Sequence, residues 1–174
     1  MTRTQQFIKK YKKVLTSGAD FFNPDTSLMQ PEDFEKAKCK ILLILPTPHV
    51  VKTVSSTVAA INDFIITHCP DTFLDVAYMP EKEDIKRYDE WKVPYAIGNI
   101  THLDASHFDL VGFSISVLNE VVTAPVILST FDRCDKPIPL FWSQRKDAKL
   151  GEYPIIYAGG ITAVCGESMF GVVS

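Results

Sequence analysis

Residues Lys40–Leu45, K-I-L-L-I-L, form an unbroken apolar run that stops at Pro46. So short a run, bounded by turn formers, fits a strand buried on both faces. Burial on both faces needs helices above and below, which points to a parallel sheet in an α/β fold. The flanking segments supply what that sheet requires. Val50–Thr67 places Val51, Val54, Val58, Ile61, Phe64 and Ile65 at helical spacing, and Pro70 ends the pattern. Thr72–Tyr78 reads as a second strand closed by Pro80, and Glu81–Trp91 as a charged helix with Ile85 and Tyr88 facing inward. Val93–Ile97 is a short extended piece. Phe108–Ser116 (F-D-L-V-G-F-S-I-S) is a third strand, the clearest of all. Val121–Phe131 is the next helix, with Pro125 expected in its first turn. Ile138–Trp142 is extended and Arg145–Glu152 is a polar loop. Pro154–Ala158 is a fourth strand stopped by Gly159-Gly160, and Phe170–Val173 starts a further element.

Strands alternating with helices through short connections imply right-handed crossovers and one parallel sheet. The expected fold class is α/β: a flavodoxin-like or Rossmann-like doubly wound sheet of about four or five strands in the order 2-1-3-4(-5). A fifth strand with its helix needs more than the fourteen residues after Gly160, so the sheet is expected to be truncated at the C-terminus. An incomplete edge with Val172-Val173 exposed invites pairing, so an oligomer is expected as well. Before the sheet, residues 5–16 carry Phe7, Tyr11, Val14 and Leu15 at helical spacing, and Gln30–Lys38 opens with Pro31 and acidic residues. The chain thus divides into a helical extension, 1–39, and an α/β domain, 40–174.

A net charge of −3 and the lack of a basic stripe with interleaved aromatics argue against nucleic acid. The lysines at 9, 10, 12 and 13 fit a solvated helix face. No secretory signal is visible, and the longest apolar run, Ile41–Pro46, is too short to span a bilayer. Cys39, Cys69, Cys134 and Cys165 form no C-x-x-C pair, which suits reduced thiols in a cytoplasmic protein.

In an open parallel sheet, ligands sit beyond the carboxyl ends of the strands where the strand order reverses. Three loops then matter. In Pro46–Val50, two prolines stiffen a turn carrying Thr47, Pro48 and His49; an imidazole can ligate a metal or move a proton, or simply start a helix. In Ser114–Glu120, Ser114 and Ser116 share one strand face, and with Leu118, Asn119 and Glu120 they make a polar cluster that can bind a ligand or cap the next helix. In Gly159–Val164, the paired glycines Gly159 and Gly160 allow close approach of a ligand or a tight turn. G-x-G-x-x-G, a P-loop, H-E-x-x-H and G-x-S-x-G are all absent, so no nucleophile with its base is marked.

F-D-L-V-G-F-S-I-S (108–116), I-P-L-F-W-S-Q-R (138–145) and Y-P-I-I-Y-A-G-G (153–160), in that order, resemble the cobalamin-binding-type domain that precedes the barrel of many radical-SAM enzymes. Pro70–Asn99 is similar to that family's second strand, charged helix and return. The resemblance implies a corrinoid or related nucleotide-tailed cofactor at the carboxyl edge. Ser116-Val117-Leu118 matches the family's S-x-L and Gly159-Gly160 its G-G. Of D-x-H-x-x-G, the segment Thr47–Lys52 keeps only His49, which implies a corrinoid with no protein ligand on cobalt, its tail against Ser114, Ser116 and the glycine pair. No C-x-x-x-C-x-x-C is present. An iron–sulfur cluster and S-adenosylmethionine are therefore implied only if a catalytic barrel follows, in the same chain or as a partner. Two alternatives stay open: a vestigial domain kept as a scaffold or protein-contact module, and a small enzyme or regulator using the crevice for another nucleotide.

Overall fold

The computed structural model describes residues 1–16, 18–22, 29–49, 56–149 and 151–160. Four strands, β1 Cys39–Pro48, β2 Thr72–Met79, β3 Leu110–Ser114 and β4 Ile155–Gly159, form one sheet in the order β2-β1-β3-β4. Every pairing is parallel. The expected α/β, flavodoxin-like topology is therefore the one the chain adopts. The helices are α1 Arg3–Tyr11, α2 Gly18–Phe21, α3 Pro31–Lys36, α4 Ser56–His68, α5 Ile85–Trp91, α6 Leu118–Leu128 and α7 Trp142–Arg145. The β1-to-β2 crossover runs one way along the sheet; those from β2 to β3 and β3 to β4 run the other. Right-handedness then puts α4 on one face and α5 and α6 on the other, with the order reversing between β1 and β3.

Some boundaries differ from those the sequence suggests, for local reasons. β1 continues through Pro46 and Pro48, because its pairing with β3 ends at Ile44 and its register on β2 shifts between Leu45 and Pro48. Neither missing N–H is needed there. α6 starts at Leu118 rather than Val121, so Pro125 sits inside the helix and not in its first turn. The chain from 138 pairs with no strand among the described residues, and Trp142 opens the short α7. On α4, Ile65 is buried as its stripe requires, but Phe64 faces out and lies against His68. Val50, Val51, Val54 and Phe170–Val173 lie outside the described residues.

Phe7, Ile8, Phe22 and Phe34 belong to the same buried cluster as Leu42, Ile44, Phe73 and Phe113. Phe7 meets Tyr88 edge-on at 4.6 Å, and the Trp91 indole N–H donates to the Tyr11 hydroxyl at 3.1 Å. The described part of residues 1–39 thus packs into the sheet domain's own core. β2 is pinned by Asp75, whose fully buried carboxylate accepts hydrogen bonds from the Val76, Ile100 and Thr101 amides and the Thr101 hydroxyl. Among the described residues no helix is long and apolar enough to cross a membrane.

Candidate functional site

The carboxyl edge brings two of the three loops into direct contact. Ser114, the last residue of β3, pairs with Gly159, the last of β4. One step on, the Ile115 amide donates to the Gly159 carbonyl at 2.7 Å. Gly160 then turns at φ +119, and a Cβ there would lie 2.1 Å from the Ile115 carbonyl oxygen. Only glycine fits that turn. Gly159 is the opposite case: among the described residues nothing lies within 4 Å of where its Cβ would be. Alternation and register put Gly112 and Ser114 of β3 on the same face as Tyr157 and Gly159 of β4. The Tyr157 ring covers Gly112, and the tract beyond it is floored by Ser114 and Gly159. Ser114 is buried, and its hydroxyl makes no hydrogen bond to the described residues.

Glu120 ties the first loop to the second. Only 1% of it is exposed. One carboxylate oxygen accepts the Thr47 hydroxyl at 2.7 Å; the other accepts the Ser116 and Val117 amides at 2.5 and 3.1 Å. As the third residue of α6 it reaches back to the helix entrance, which satisfies amides that would otherwise be orphaned. It therefore fixes the spacing of the β1 and β3 turns across the switch point. Ser116, Leu118 and Asn119 are exposed around it.

His49 lies elsewhere. Its ring centroid is 5.1 Å from Phe21 and 5.1 Å from Tyr78, on the β2 side, where the N-terminal segment crosses the edge. Pro48 pairs with Met79 there. The cavity beside them, about 30 Å³, has room for little more than a water. Thr47, Ser114, Ser116, Glu120, Gly159 and Gly160 are thus brought together, and His49 is not among them. Val164 and Cys165 lie outside the described residues. A larger cavity, about 780 Å³, opens at the amino edge between the starts of β1, β3 and β4 and the 145–152 loop. It is a trough on the side of an open α/β sheet that ligands do not ordinarily use.

A second cluster was invisible in the sequence. Asp104, His107 and Asp135 each present one ligand atom, all within 4.8 Å of one another. Asp104 is fully buried at the start of a 3-10 turn, Ala105–His107, just before β3. Its carboxylate accepts the Ser106 amide and hydroxyl at 3.0 and 2.6 Å and the Asp135 amide at 2.9 Å. His107 Nε2 is 3.0 Å from Asp135 Oδ2. The Cys134 thiol faces Asp104; burial first, and that carboxylate second, push it well above the usual thiol range, so it stays protonated. The three residues form a candidate cation site. Asp104-x-x-His107 is the only part of it with a local spacing; Asp135 arrives from another loop.

The fold and the rim define the class: an open-sheet α/β domain whose loops meet at the carboxyl edge of β1, β3 and β4. Comparison with family models, with curated proteins and with solved structures returns no match.

Proposed function

We propose that the domain binds a corrinoid or a related nucleotide-tailed cofactor at this rim and presents it to a radical-SAM barrel in the same chain or in a partner. The supporting observation is the small-residue tract at the edge of β3 and β4: a serine whose hydroxyl bonds none of the described residues, beside a glycine with no described atom within 4 Å of its Cβ position. A flat or extended group laid along Gly159 would meet none of the described side chains at that position and would lie beside the Ser114 hydroxyl. The residues fit such a group. Ser114, Ser116 and Gly159 would hold the tail, Gly160 and Glu120 would hold the turns, and His49, committed to Phe21 and Tyr78, would leave the cobalt without a protein ligand. A bound corrinoid supplies a cobalt centre for group or electron transfer; the chain supplies binding and orientation. The iron–sulfur cluster and S-adenosylmethionine belong to the barrel, and the cytoplasm is the expected compartment.

Titration with hydroxocobalamin, followed by visible absorption, tests this. Uptake by the native chain, lost in Gly159→Val while the far-ultraviolet spectrum is unchanged, is the expected result. No uptake by the folded native chain overturns it.

A scaffold reading draws on a separate observation. Leu118, Val122 and Val126, spaced along one line of α6, are 69%, 70% and 43% exposed. Such an apolar stripe suits a protein contact. That reading expects a concentration-dependent complex in sedimentation and no cobalamin uptake.

A further inference from the structure

We propose that Asp104, His107 and Asp135 hold a divalent cation of the zinc type, at a site separate from the rim and independent of any corrinoid. Four observations lead there. The first is geometry. Donors each about 2.1 Å from one ion lie about 3 to 3.6 Å apart. His107 Nε2 and Asp135 Oδ2 are already 3.0 Å apart, and Asp104 completes a set no wider than 4.8 Å.

The second is charge. Two carboxylates converge here, and among the described residues no lysine or arginine forms an ion pair with either. The nearest basic side chains in sequence are committed elsewhere. Arg133 pairs with Asp89 at 2.5 Å, and the Lys136 ammonium donates to the Glu152 carbonyl and sits over the Tyr153 ring. Two carboxylates converging on one imidazole make a donor set that a cation would complete.

The third is support. The Ser106 amide and hydroxyl and the Asp135 amide hold the Asp104 carboxylate in place. Metal-binding carboxylates are oriented by outer hydrogen bonds of this kind. The fourth is the donor set itself. One imidazole with two carboxylates suits zinc and its neighbours, whereas calcium and magnesium prefer all-oxygen sets. The ion would tie the 105–107 turn to the 134–136 loop beneath the start of β3. Partly exposed His107 and Asp135 leave the remaining coordination positions to water.

The competing arrangement is an imidazolium at His107 paired with Asp135 and no metal. Titration of the full, chelator-stripped chain with Zn²⁺ and with Co²⁺ separates the two. The expected outcome is one ion per chain, a visible Co²⁺ absorption displaced by Zn²⁺, and a melting temperature raised by Zn²⁺. His107→Gln and Asp135→Asn, both at partly exposed positions, should each weaken binding by about tenfold or more. No uptake of either ion by the folded chain overturns the proposal. So does uptake that both variants leave undiminished, which would place the ion elsewhere on the chain.

Discussion

The glycine pair at the end of β4 allows a test in which adjacent, chemically identical residues respond in opposite ways. Gly160→Ala places a methyl group 2.1 Å from the Ile115 carbonyl oxygen, about 1 Å inside any tolerable contact, on a backbone at φ +119. The conformation alone costs about 1–3 kcal/mol. Relieving the contact moves the β3–α6 turn away from β4 and strains the Ile115–Gly159 hydrogen bond, worth about 1 kcal/mol. The sum is about 3 kcal/mol. For a chain of this size that corresponds to a melting temperature lower by about 6–12 °C. At Gly159 no described atom lies within 4 Å of a Cβ, so Gly159→Val, which adds a β-branched residue to a strand, should stay within about 0.5 kcal/mol. Urea unfolding followed by far-ultraviolet circular dichroism measures both. Equal destabilisation by the two substitutions, or a neutral Gly160→Ala, would refute the geometry of the rim.

Three further outcomes follow from the hydrogen-bond pattern. Glu120→Ala releases Thr47 and the Ser116 and Val117 amides together; with water reaching the two exposed amides, the loss should be about 2–3 kcal/mol, whereas Glu120→Gln, which can still accept from one side and donate to Thr47, should lose about 1 kcal/mol or less in the same urea assay. Asp75→Ala strands the buried Ile100 and Thr101 donors and should cost about 4 kcal/mol, enough to show as a large drop in the urea midpoint with the slope unchanged. His102 is held below the ordinary imidazole range, chiefly by burial, so the folded chain takes up its proton less readily than the unfolded chain does. Its contribution is complete above about pH 6.5 and is lost as the pH falls from there through the lowered folded value. His102→Asn, which tolerates φ +57, should flatten that acid-side decline in denaturation curves taken between about pH 7.5 and pH 5.

The sheet was legible because its signals are local and redundant. Ile41–Leu45 and Val111–Phe113 could be placed as buried strands from composition alone, and the alternation of elements gave the order 2-1-3-4. Ser114, Ser116, Gly159 and Gly160 could be assigned to one edge because strand ends and turn residues mark it. The placement of His49 escaped. What settles it is Phe21, and nothing in the sequence announces that the short helix after Gly18 crosses the β2 side of the edge. The role of Glu120 was half readable: its position near a helix start suggests a cap, but its bond to Thr47 spans 73 residues. The start of α6 at Leu118 was missed because Val117 gives no polar capping signal. The Asp104–His107–Asp135 cluster depends on a contact across 28 residues between two irregular loops, where periodicity carries no information.

The first helix of the chain makes its partnerships late. Gln5 bonds the Thr101 carbonyl, Arg3 the Arg133 carbonyl, and Phe7 the ring of Tyr88. While the chain is being synthesised, the apolar side of this helix waits for Tyr88 and Trp91, which emerge about eighty residues after it. Its threonine cap and capping glutamine can hold the helix in shape during that wait, but it cannot dock before the Ile85–Trp91 helix has formed. A fusion that occupies the Phe7 and Ile8 side early should therefore slow maturation far more than one appended after the helices have docked.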